Sequence, residues 1–203
     1  AESGARGAQK EATRRRVPEA AYEVFESEAS EATTVRAIAR RAGVSVGSVF
    51  TSFTSKAQIL SEVIEARRGG LYAEFDRLLP HLRGSTADRL RSMFAIHYAF
   101  EAPRRRLSLA HIAAAYSWTS GLNSRPFGQA ERLKAMLREC LADGIGRGDV
   151  DPQADLALIV EMLLAAYGWT YRLVTWQDAT TEELCALMDR QIGLIAEGFA
   201  PRP

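Results

Sequence analysis

Residues 33–56 read TTVRAIARRAGVSVGSVFTSFTSK, and the reading of this stretch decides the fold. Thr33 or Thr34 can cap a short helix ending near Ala42, because a threonine hydroxyl satisfies an amide that the first helical turn leaves open. Gly43 then supplies a backbone free to turn tightly. Ser45 can cap a second helix over about 46–53, and Thr54-Ser55 can cap a third that begins near Lys56. Ile38, Val44, Val49 and Phe53 can bury together against Val24 and Phe25 of a preceding helix, and Ala39 leaves room where two axes cross closely. Two short helices crossing steeply about a tight turn make a helix-turn-helix. The arrangement leaves Val46, Gly47, Ser48, Thr51 and Ser52 outward, a smooth face that can enter a DNA major groove.

Working outward, helical periodicity recurs along the whole chain and no segment alternates as a strand would. The preceding helix is expected over 17–28, where Val17, Ala21, Val24 and Phe25 share a face and Pro18 fits only a first turn. Residues 1–14 are then expected as a mobile basic arm. Beyond Lys56, Leu60, Val63 and Ile64 form an apolar stripe that Gly69-Gly70 is expected to interrupt or kink. Further helices are expected over 86–101, 104–120, 127–146, 153–176 and 180–198. The domain organisation that follows is an arm at 1–14, a helix-turn-helix domain at 15–60 and a larger helical domain at 61–203.

The bulk composition allows this and excludes other classes. Hydrophobic residues make up 47% and charged residues 25% of the 203, which is ordinary for a globular chain. No apolar run reaches the roughly 20 residues of a membrane span, so no membrane partner is expected and the location expected is cytoplasmic. Cys140 and Cys185 are expected as free, buried thiols. No metal site is indicated, because neither the cysteines nor the three histidines have ligand spacing. No nucleophile–base–orienter set and no phosphate-cradling glycine loop appears, so neither catalysis nor a cofactor is expected. Net charge is only +1, but basic residues cluster at Arg14, Arg15 and Arg16 and again at Arg36, Arg40, Arg41 and Lys56.

The stretch 33–56 resembles the DNA-binding region of TetR-type transcriptional regulators. Their pattern is T-T-x-x-x-I-A-x-x-A-G-V-S-x-G-x-x-Y-x-x-F-x-S-K. It is matched at Thr33, Thr34, Ile38, Ala39, Ala42, Gly43, Val44, Ser45, Gly47, Phe53, Ser55 and Lys56. With the helix at 17–28, the resemblance covers about a quarter of the chain. It implies an all-α protein with an N-terminal three-helix domain and a larger C-terminal helical domain for ligand binding and dimerisation. Four departures stand out: Phe50 replaces the usual tyrosine, Thr51-Ser52 follow it, Glu28-Ala29-Ser30 replace a usual glycine, and Pro18 replaces an apolar helix former.

The candidate DNA-binding residues are Thr34, Arg36, Ser45, Val46, Gly47, Ser48, Phe50, Thr51, Ser52 and Lys56. Lys56, near a helix N-terminus, suits a phosphate oxygen. Thr34 and Ser48 carry hydroxyls for phosphate or base, Arg36 has the fork for a guanine, and Val46 suits a thymine methyl. Arg14 to Arg16 are placed to reach the DNA backbone or minor groove. Because the presented face is weakly polar, specificity is expected to lean on Arg36, the arm and DNA shape.

In the larger domain, LALIVEMLLAAYGWTYRLV (156–174) is apolar almost all round, so burial on several sides is expected. Together with 180–198 it suits a four-helix interface of a homodimer, as the resemblance also implies. Glu161 is the one charge between Leu156 and Tyr171 and is expected to need a partner or to line a cavity. Tyr98, Glu101, Tyr116, Trp118, Asn123, Glu161 and Trp169 are candidates for a small-molecule effector site. The expected function is a DNA-binding regulator, a repressor released from a palindromic double-stranded operator by a small, largely apolar effector. The alternative is a helical ligand- or partner-binding protein with a weakened DNA-reading face.

Overall fold

The computed structural model describes residues 2–27, 33–115 and 130–201, all helices and connecting turns with no strand among them. In chain order the helices are α1 (Glu2–Ser27), α2 (Val35–Ala42), α3 (Val46–Phe50), α4 (Lys56–Leu78), α5 (Thr86–Glu101), α6 (Arg105–Ala115), α7 (Glu131–Arg147), α8 (Leu156–Gln177) and α9 (Thr181–Phe199). The chain divides into two compact units, one of residues 1–70 with 104–117 and one of residues 71–103 with 118–203. The division falls within α4, which runs unbroken through Gly69 and Gly70. The expected interruption is absent, because two glycines weaken a helix by only about 1 kcal/mol each and do not forbid it.

The first unit is built on the apolar stripes of the short helices. Val17, Ala21 and Phe25 of α1, Ile38 and Ala39 of α2, Val49 and Phe53 around α3, and Ile59 and Val63 of α4 form one buried cluster. The cluster also takes Leu107 and Ala110 of α6, a helix that sequence order alone places in the larger domain. Reciprocal caps fasten α6 there. Arg106 Nη1 donates to the carbonyls of Glu26 and Ser27 at 3.2 and 2.9 Å, and the Glu26 carboxylate accepts from the Leu107 amide at 3.1 Å. Each helix end therefore supplies what the other leaves unsatisfied.

Helix α1 corrects the expectation of an arm over 1–14. It is helical from Glu2 and carries Pro18 in its interior. Alanine, glutamine, lysine, glutamate and arginine between Ala8 and Arg16 favour helix. Thr13 and Val17 before the proline and Ala21 after it are buried, which holds the helix on both sides of it.

The second unit packs α5 against α7 and α9, and α8 against α7 and α9. Phe75, Leu90, Phe94, Leu137, Leu163, Met188 and Ile192 fill its interior. Helix ends are specified locally: Ser85 with Asp88 and Thr180 with Glu183 form capping boxes, and Asp155 caps α8. A tighter joint lies where α7 ends. Asp149 accepts from the Thr86 amide and hydroxyl, both at 2.6 Å, and Arg147 donates to the same hydroxyl at 2.7 Å. Gly144 passes so close that any Cβ there would collide with Thr86 and Val150.

By length and composition alone α8 passes as a membrane-spanning helix, a test that the core helix of a globular unit also passes. One side of it, with Ile159, Leu163, Tyr167 and Val174, is the core of this unit. Cys140 and Cys185 are free and half-buried rather than fully enclosed; burial pushes the Cys140 thiol up to about 11. Among the described residues no group of histidine, cysteine or carboxylate side chains could hold a metal.

Candidate nucleic-acid interface and effector cluster

The turn between α2 and α3 is fixed by capping. Thr34 Oγ1 accepts from the Ala37 amide at 3.1 Å and starts α2. Gly43 stops it in the left-handed region at φ 67°, where a side chain is disfavoured. Val44 N then donates to Ala39 O at 3.0 Å, and Ser45 Oγ caps α3 by accepting from the Ser48 amide at 3.0 Å. Ser55 Oγ starts α4 by accepting from Gln58 N at 3.1 Å, while Gln58 Oε1 accepts from Thr54 N.

The second helix is shorter than the expected 46–53. It closes at Phe50, and Ser52 N and Phe53 N both donate to Val49 O at 2.9 Å. That turn swings Ser52 inward, so its hydroxyl is buried and does not belong to the presented face. Thr51 remains exposed, but its hydroxyl donates to Ser48 O at 2.7 Å. Ser45 and Ser48 hydroxyls face each other at 2.9 Å. Phe50 is 54% exposed, Gly47 is exposed and Val46 is half-buried.

Cations are carried on α1, α2 and α4 of the same unit. Lys56 is half-buried and its Nζ donates to Thr33 O at 3.1 Å, which ties the start of α4 to the start of α2. Arg36 and Arg40 are exposed, and Arg41 pairs with Glu23. The helical course of α1 carries Arg14, Arg15 and Arg16, all exposed. Arg16 lines a groove of about 240 Å³ with Thr13, Gly43, Val44, Ser45 and Ser48. A basic turn of helix, rather than a loose arm, therefore flanks the reading helix.

In the second unit the structure brings two of the expected effector residues together, Tyr98 and Glu101. Glu101 accepts hydrogen bonds from the hydroxyls of Tyr167 (2.5 Å) and Tyr171. His97 stacks on Tyr167 with ring centroids 4.8 Å apart, and its Nε2 lies 3.5 Å from Glu101. Tyr98 OH meets Thr170 Oγ1 at 2.6 Å, and Thr170 donates to Tyr167 O. Burial first, and then the charge of Glu101, pushes the Tyr167 and Tyr171 phenols well above their ordinary value. Burial does the same to Tyr98. All three phenols are thus fixed as neutral hydrogen-bonding groups.

His97, Tyr167, Thr170 and Tyr171 were not among the expected effector residues. Their signal was the four-residue spacing of His97 with Glu101 and of Tyr167 with Tyr171, which places each pair on one helix face. Tyr116, Trp118 and Asn123 lie outside the described residues. Glu161 and Trp169 are exposed on α8, away from this unit's interior. Glu161 therefore does not need a buried partner within one chain. Leu158, Met162, Trp169 and Trp176 are likewise exposed on α8, and Arg172 stacks on both tryptophans at 4.4 and 4.5 Å.

The profile described as "Bacterial regulatory proteins, tetR family" matches residues 19–63, which include the helix-turn-helix. The HTH-type transcriptional regulator SrpR of Pseudomonas putida is 26% identical over 149 residues, 73% of this chain and 68% of its own length. The fold is similar to that of Thermus thermophilus FadR, a TetR-family repressor solved with lauroyl-CoA (24% identity, TM-score 0.73, 94% of this chain and 96% of that one). It is also similar to Bacillus subtilis FadR solved with stearoyl-CoA (20% identity, TM-score 0.69, 92% and 99%). The capped helix-turn-helix and the all-helical second unit accord with these likenesses: residues 19–63 match the tetR-family profile, and the fold is similar to that of TetR-family regulators.

Proposed function

We propose that this regulator is a cytoplasmic, homodimeric repressor that binds a palindromic operator and is released from it by a small, largely apolar effector. The observation that carries the reading is the capped helix-turn-helix, with Arg16 at the groove beside Ser45 and Ser48, Lys56 at the start of α4 and Arg36 exposed on α2. Phosphate contacts from Thr34, Arg36 and Lys56 position α3, with Ser45, Val46, Gly47, Ser48, Phe50 and Thr51 nearest the bases. Dimerisation through α8 and α9 is supported by the exposed Leu158, Met162, Trp169 and Trp176 and by Leu194, 70% exposed on α9. An apolar stripe at helical spacing on a long helix is what a partner helix covers.

The effector site is the cluster around Glu101, where neutral phenols and a histidine surround one carboxylate among aromatic rings. An apolar pocket with a few placed polar groups is the usual form of such sites. The acyl-CoA molecules in the two FadR structures support an effector that carries an elongated apolar chain here. Effector binding would favour a dimer whose reading helices no longer match half-sites about 34–36 Å apart. The domain roles follow: DNA binding within residues 15–60 flanked by the basic turn of α1, effector binding and dimerisation within 61–203, and no catalysis.

A mobility-shift assay with DNA flanking the protein's own gene tests this. A sequence-selective shift that weakens steeply with salt and is reversed by lauroyl-CoA supports it; absence of any selective shift overturns it. The internally bonded hydroxyl of Thr51 and the buried one of Ser52 favour a second reading, a partner-binding protein with a weakened DNA face. Arg36→Ala with Lys56→Ala discriminates, because unchanged regulation in cells would favour that alternative.

A further inference from the structure

The reading helix shows its apolar atoms and commits most of its hydroxyls internally. The Thr51 hydroxyl hydrogen is donated to Ser48 O, and that of Thr54 to Gln58 Oε1. Ser45 and Ser48 bond to each other, so the pair keeps one hydroxyl hydrogen for any outside acceptor. Ser52 is turned into the protein. What α3 offers outward is Phe50, more than half exposed, and the exposed part of Val46, one helical turn before it and packed in part against the core of the first unit. Between them Gly47 has no side chain to hold the bases away; even an added Cβ would meet nothing nearer than Ser45 Oγ at 3.8 Å.

Base edges in the major groove are hydrogen-bond donors and acceptors, with one apolar exception, the C5 methyl of thymine. An apolar side chain set against a donor or acceptor strips its water and returns nothing, whereas set against a methyl it gains burial on both sides. We propose that Val46 and Phe50 are specificity-determining residues, and that this regulator selects its DNA sites by thymine methyl groups packed against these two side chains. The inference rests on the DNA-binding reading above and adds what is read. Phenylalanine instead of tyrosine at position 50 fits it, since no hydroxyl has to be desolvated against the methyl.

The test uses duplexes that the purified 203-residue chain itself recovers from a random-sequence pool. They are resynthesised with deoxyuridine in place of individual thymines, which removes only the methyl. At one or two positions in each half-site the affinity should fall by about fourfold per methyl lost. Phe50→Ala, at an exposed position, and Val46→Ala, at a half-buried one and checked for unchanged helicity, should bind the thymine and uracil duplexes equally at the affected positions while keeping the salt dependence of the parent. Equal binding of thymine and uracil duplexes by the parent chain overturns the proposal, as does a uracil penalty that persists in both variants. Salt-dependent binding without enrichment of any sequence also overturns it and leaves DNA binding standing; no salt-dependent binding overturns both.

Discussion

Gly144 and Asp149 show how single residues hold a joint of the second unit. A Cβ at 144 has no room beside Thr86 and Val150, so Gly144→Ala should destabilise the chain by about 1–3 kcal/mol in denaturant unfolding, despite alanine's better helix propensity. Asp149 is the other half of the joint. Burial raises its carboxyl, but the Thr86 hydroxyl and amide and the Arg147 charge outweigh burial and hold it below its ordinary value. A lowered folded-state value means stabilisation that is present above the unfolded value, about 3.9, and lost as pH falls through the folded one. Unfolding midpoints followed by circular dichroism should therefore fall below pH about 4, and Asp149→Asn should lower the neutral midpoint and flatten that acid limb. The Gly43 turn and the Ser45 cap of α3 were legible because capping and turn residues act within four positions. Ser52 was not, because its direction depends on where α3 stops.

At the scale of elements, α5 and α8 meet through Glu101. Tyr171→Phe removes one of the two hydroxyls that satisfy this carboxylate. It should cost about 1–3 kcal/mol of stability and should weaken effector-induced release of DNA, read by fluorescence anisotropy titration. Helix α1 shows the same dependence on what an element packs against. Proline at 18 suggested a helix start, yet local propensity upstream and burial of Val17 and Ala21 on either side made it an interior residue. Arg14 to Arg16 consequently ride on a helix, and Arg16 lies at a groove with Ser45 and Ser48. Arg16→Ala should reduce the salt slope of DNA binding by about one and weaken all sequences alike, the signature of a phosphate contact.

For the whole molecule, the exposed side of α8 is the deciding surface. Met162→Lys with Trp169→Glu places charge where a second copy would pack, at positions exposed in one chain. The variant should sediment as a monomer with unchanged helicity. Because a dimer binds two half-sites at once, its operator affinity should fall by about a hundredfold or more, of the order that losing two-site binding entails. A variant that remains dimeric would place the interface elsewhere.

The sequence by itself determined the all-helical class, the helix-turn-helix and its caps, because these depend on contacts within one or two turns of chain. It also marked α8 as a helix with more apolar surface than one face requires. Tertiary structure decided the rest. It joined α6 to the first unit through Leu107, Ala110 and the Arg106–Glu26 caps, gathered His97, Glu101, Tyr167 and Tyr171 into one cluster, and divided α8 into a buried and an exposed side. Those pairings join residues about 66 to 80 positions apart, and side-chain periodicity within one helix shows which face is apolar but not what that face meets.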